Sequence, residues 1–315
     1  MSCVSVLLRI VAIAAILLGC RVGGASLAGF VSTASNRDHA TIAAESDSAE
    51  NRSAKQAKLF CLVMGVCLLE AAALAYPILR SRWAGWKLSF VVFVLYFGVV
   101  SVQPQLEAAF FQVLPFGFIV RILVMGAVTA ALFSPLAVLV LGRWRSKGAQ
   151  AESDCGCRKL SWRQWLIKLA GAAAVYVLLY FIFGYFVAWQ SPQVRDFYGG
   201  TESNGVFQHL VFVLGNIPLL LPLQALRGLL WVALALPVLY LVRGAWWEIG
   251  LAIGLLFAIL MNAQLLLPNP FMPEAVRLVH MLETAATNFL FGIWIGWSFG
   301  RDQANAQTTL GPERQ

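Results

Sequence analysis

Residues 59–79 read LFCLVMGVCLLEAAALAYPIL, an apolar run carrying a single charge, Glu70. A helix needs about 20 mostly apolar residues to cross ~30 Å of hydrocarbon, and this run supplies them. Comparable runs lie near 10–31, 88–103, 119–141, 165–189, 219–242, 249–267 and 278–299. Each must be helical, because a lone strand in lipid leaves its backbone donors and acceptors unpaired. The expected fold class is therefore an all-α integral membrane protein with about eight transmembrane helices.

Composition agrees. Of 315 residues, 60% are hydrophobic and 12% charged, where an average soluble chain carries roughly a quarter charged. The polar connections are too short to bury a core of their own. The net charge of +8 is concentrated in a few short loops, as the positive-inside bias requires. No nucleic-acid partner is expected; the immediate partner is membrane lipid.

The same loops set the orientation. The connection between the fourth and fifth runs holds Arg143, Arg145, Lys147, Arg158, Lys159 and Arg163 against Glu152 and Asp154. Arg80, Arg82 and Lys87 follow the second run, and Arg243 ends the sixth. The stretch from Pro104 to Phe118, read as an outer loop, has no basic residue, and that from Gln190 to Asn204 has only Arg195. Both termini are thus expected in the cytoplasm, with a bacterial inner membrane as the setting. Tryptophans such as Trp83, Trp86, Trp162 and Trp247 fall at the cytoplasmic ends, where indole favours the headgroup layer. The first run also admits a second reading: Leu17-Leu18-Gly19-Cys20 fits a bacterial lipoprotein signal with Cys20 acylated.

Offsetting the chain by about 158 residues brings features into common order. Leu7-Leu8-Arg9 meets Leu166-Ile167-Lys168, Arg37-Asp38 meets Arg195-Asp196, and Pro77 meets Pro237. Val120-Arg121 meets Val276-Arg277, and Gly142-Arg143 meets Gly300-Arg301. The expectation is a four-plus-four duplication, residues 1–150 and 151–315, with parallel copies because four spans is an even number. In parallel-repeat transporters the ligand site lies between repeats near the midplane. The copies differ outside: residues 32–58 are polar, whereas Phe207–Leu214 is apolar and fits a helix lying in or dipping into the outer interface.

Ionisable groups inside a span cost about 2.5–3.5 kcal/mol each at the centre, so each needs a reason. Glu70 and Arg227 stand deep in the second and sixth runs, one helical turn apart in the repeat frame, and are expected to pair. A second cluster occupies the eighth run: Arg277, His280, Glu283, Thr284, Thr287 and Asn288, with Asn262 and Gln264 from the seventh. Arg121, Gln103 and Glu107 answer from the first copy. Together these are the candidate ligand or coupling residues of an outward-opening polar pocket. Interhelical hydrogen bonding alone, at ~0.6 kcal/mol a bond, is the plainer account.

Three histidines and the Cys155-Gly-Cys157 pair do not assemble a metal-ligand set, so no metal is expected. No phosphate-cradling loop or hydrolase motif occurs, so no cofactor is expected either. Three functional classes remain. One is a transporter-like protein binding a small molecule between two repeats. Another is a non-transporting assembly factor or sensor bound to a further membrane subunit. The third is an enzyme using Glu283 and His280 as acid and base on a lipid-linked substrate.

Overall fold

A computed structural model describes residues 3–27, 49–145, 161–199, 205–242 and 244–301. Arg37, Asp38, His39, Cys155, Cys157 and Arg243 lie outside the described residues. Among the described residues the chain is helical without strands, apart from one isolated antiparallel bridge between Ser81 and Val242.

Eight helices are long and apolar enough to cross a membrane. Numbered one to eight, they are Val4–Ala25, Arg52–Leu79, Gly85–Phe110, Phe116–Val140, Trp162–Ala188, Leu220–Leu241, Trp246–Leu266 and Glu274–Gly300. Their flanks carry exposed Phe90, Leu139, Ile167, Leu226, Leu255 and Leu282. Extended apolar surface of this kind is rare on a soluble monomer and natural in hydrocarbon. The chain is a multi-pass helical membrane protein.

Two boundaries depart from the sequence reading. Span one begins at Val4 rather than near residue 10, so Arg9 lies within it, half-buried. A long basic side chain near a helix end sends its charge to the interface while its stem stays apolar. Span three does not stop before Pro104: helix continues over Gln103–Phe110, and only a short turn remains of the expected loop. A π turn, Gly98–Val102, precedes the proline, and Gln103 N–H bonds back to Gly98 O. That wider turn resets the hydrogen-bond ladder just ahead of a residue with no N–H to give. Gln112, at φ 53°, closes the turn in the left-handed region.

Packing divides the chain into two units, Met1–Ala75 with Gly85–Trp144, and Tyr76–Ala84 with Arg145–Gln315. In the first, spans one and three both lie against span four. A Cβ at Gly24 would stand 2.8 Å from Met125 O, so only glycine allows spans one and four so close. Ile13, Ala14, Leu17 and Cys20 are buried along span one.

In the second unit span eight packs on spans seven and five, and span six on span five. Gly250 and Gly254 of span seven face Gly292 and Gly296 of span eight, backbone against backbone. A Cβ at Gly254 would lie 2.6 Å from Phe289 O. This is the small-xxx-small arrangement that lets membrane helices approach closely. Spans five and six meet around Tyr176 and Trp231, whose Nε1 donates to Tyr176 Oη at 3.0 Å. The apolar segment ahead of span six forms a helix, Val206–Asn216, with Phe207, Val211 and Phe212 exposed.

Candidate functional site

Glu70 is fully buried (0% exposed) in span two. Its partner is Arg21 of span one rather than the expected Arg227: Arg21 Nη2 lies 2.7 Å from both Oε1 and Oε2. Tyr96 of span three completes the cluster. Its hydroxyl donates to Glu70 Oε2 at 3.1 Å and accepts from Arg21 Nε at 3.2 Å. One positive and one negative charge thus cancel within three spans of the first unit. Each charge alone would be costly in hydrocarbon, and the pairing with added hydrogen bonds relieves that cost.

Arg227 is buried in the second unit. Its Nη1 donates to Gln224 Oε1 at 2.9 Å, one turn earlier on span six, and its guanidinium carbon lies 6.0 Å from the Tyr176 ring centroid. Arg121 is exposed in the first unit, whereas its sequence counterpart Arg277 is buried in the second. Gln103 is buried and Glu107 half-buried, both in span three.

The remaining candidates converge in the second unit. Arg277, His280, Thr284, Thr287 and Asn288 recur at three- and four-residue steps, which sets them along one side of span eight. From Arg277 to Asn288 the rise is roughly 16 Å, about half the hydrocarbon thickness. Asn262, at the end of the span-seven helix, accepts through Oδ1 from the Thr284 hydroxyl, which also lies 2.7 Å from His280 O. His280 Nδ1 and Glu283 Oε2 are 3.1 Å apart. The other Glu283 oxygen faces span five: a Cβ at Gly184 would lie 3.5 Å from Oε1. Gly184 opens a π turn, Gly184–Ala188, a distortion found often at functional sites. Asn288 Nδ2 meets the Met261 sulfur at 3.2 Å. Gln264 donates to Met261 O at 3.3 Å.

Three buried polar atoms on this track lack a hydrogen-bond partner: Arg277 Nε, Thr287 Oγ1 and Asn288 Oδ1. Orphaned buried polar atoms are uncommon and each calls for a physical reason, a bound water or ion among them. The N-terminal end of the track opens at Arg277 into a cavity of about 460 Å³ formed with the Pro268–Pro273 turn. Among the described residues no three His, Cys, Asp or Glu side chains lie together as a metal site would need.

The chain matches no family model, no curated protein and no solved structure. Its own residues carry the functional argument.

Sequence reasoning missed Arg21, Tyr96, Tyr176 and Trp231. For Arg21 a signal was present, since a charge inside an apolar run always asks for a partner. The repeat symmetry points from Glu70 to Arg227 and leaves Arg21 out. The paired glycines of spans seven and eight were equally legible as two Gly-xxx-Gly motifs.

Proposed function

We propose that this is a transporter-like protein of the bacterial inner membrane, built from two duplicated four-span copies. In this reading a small polar solute enters from the outer face along span eight. The partnerless Arg277 Nε, Thr287 Oγ1 and Asn288 Oδ1 carry the proposal. They mark a polar line from the helix end toward the midplane, whose needs a hydrogen-bonding solute or its water would meet. The Glu70–Arg21 pair is satisfied within its own unit and serves stability in this scheme.

The duplication draws support from packing. In each unit the copy's first and third spans lie against its fourth, and Pro77 and Pro237 both stand inside helices. Cytoplasmic termini follow from the basic loops.

Reconstitution into proteoliposomes tests the reading. Uptake from a panel of amino acids, organic acids, sugars and amines should include at least one transported class. Thr287→Val with Asn288→Leu should cut that flux tenfold or more while the protein stays folded. No flux across the whole panel would sink the proposal. The 3.1 Å His280–Glu283 contact favours a second reading, acid–base chemistry on a lipid-linked substrate. Product formation abolished by Glu283→Gln would move the conclusion there.

A further inference from the structure

The cavity at the outer end of span eight has a chemistry of its own. Pro268, Pro270 and Pro273 stiffen its wall, Asn269 adds a polar side chain, and its two charged residues are Glu274 and Arg277. At about 460 Å³ it falls in the size range of small-molecule sites.

Arg277 is 6% exposed, its Nε has no partner, and no described side chain forms an ion pair or hydrogen bond with its guanidinium. A buried guanidinium left alone is costly, and an oxyanion is the group that its fork of donors fits. The backbone adds a second attraction. The helix begins at Glu274 behind Pro273, which offers no side-chain cap, so its first N–H groups and positive dipole end face the same turn.

Glu274 modifies this site. It is exposed at the rim and, like Arg277, has no described partner. The two are three residues apart on one helix, where side chains are neighbours ~5–6 Å apart at Cβ, yet no salt bridge joins them. A fixed carboxylate beside an oxyanion site repels a second negative charge and attracts a cation.

We infer that this cavity binds a small zwitterion, its carboxylate or phosphate on Arg277 and its ammonium on Glu274. The inference deepens the transport reading by naming the class of solute at its entrance. The same chemistry is offered by a free amino acid and by an ethanolamine phospholipid headgroup.

Binding to the full-length protein in detergent separates these sources and tests the site. L-serine is compared with L-lactate, which lacks the ammonium, and glycerophosphoethanolamine with glycerol phosphate. One zwitterion should bind at least tenfold tighter than its anionic partner: serine for a free solute, glycerophosphoethanolamine for a headgroup. Arg277→Gln should weaken that binding tenfold or more. Glu274→Gln should erase most of the preference over the anion. Should Arg277→Gln not fold, Arg277→Lys and Glu274→Gln decide, the lysine variant binding more weakly than the parent through loss of the forked contact. The inference is overturned if neither zwitterion binds, if anions bind equally well, or if the folded variants match the parent. Flux without such binding would remove this site and leave transport standing; binding without flux would do the reverse.

Discussion

Arg21 holds both carboxylate oxygens of Glu70 through a single nitrogen, Nη2, at 2.7 Å each. Its Nε donates to the hydroxyl of Tyr96, which also bonds the carboxylate. Three spans are thereby joined at one buried point, with Glu70 excluded from solvent and Arg21 partly accessible.

Breaking that point from one side should be worse than removing it. Glu70→Gln or Arg21→Met alone leaves a buried charge unpaired, at a cost of about 3–5 kcal/mol. The double variant Arg21→Met/Glu70→Met should be closer to the parent than either single change. Tyr96→Phe removes only a hydroxyl and should cost about 1 kcal/mol. Unfolding in mixed micelles measures all four. A double variant less stable than both singles would contradict this account.

The glycine contacts of spans seven and eight allow no side chain. A Cβ at Gly292 would run into the Gly254 backbone, and backbone cannot swing aside as a side chain can. Gly292→Ala should therefore destabilise the protein by about 1–3 kcal/mol, the range for overpacking. Gly65→Ala in span two, where nothing lies within 4 Å, is the control and should be neutral or slightly stabilising. Equal melting temperatures for the two variants would refute the close approach.

His209 gives the Val206–Asn216 helix a pH response. The rings of Phe181, Tyr185 and Trp189 lie 5.6, 5.4 and 4.8 Å from its imidazole. Burial pushes its pKa below the ordinary 6.5, so the neutral ring is the form that packs. Its stabilising contribution is complete above about pH 6.5 and is lost as pH falls through the lowered folded value. Acidification should loosen Val206–Asn216 from the end of span five. Emission that disappears in Trp189→Phe reports this, and His209→Leu should abolish the response. A Trp189 signal flat through the acid range in the parent would show that the imidazole does not titrate there.

The Asn262–Thr284 link between spans seven and eight predicts a smaller effect. Thr284→Val leaves Asn262 Oδ1 without its donor and should cost on the order of 0.6–1.7 kcal/mol, the span measured for interhelical bonds in membranes. Adding Asn262→Leu should recover part of that loss. Thermal unfolding of the two variants checks it, and a double variant no better than Thr284→Val would argue against the pair.

How far sequence reached depended on whether a feature is local. The number of spans and the short apolar helix before span six follow from apolar length and were legible. Pro104 misled because a proline normally ends a helix, and the π turn that accommodates it leaves no sequence mark beyond Gly98. That Glu70 and Arg21 each need a partner was legible, but which one was not, since Arg21 and Tyr96 stand 49 and 26 residues from Glu70 in the chain. The polar face of span eight was legible from its periodicity. Which of its atoms lack partners was not, because that depends on what spans five and seven present to it.

The facing glycines also limit how the second unit can move. Two helices in backbone contact slide or separate only by losing dense packing along their whole seam, so spans seven and eight act as one stiff post. The side of span eight toward span five has no such seam: there Gly184 begins a wider helical turn beside Glu283.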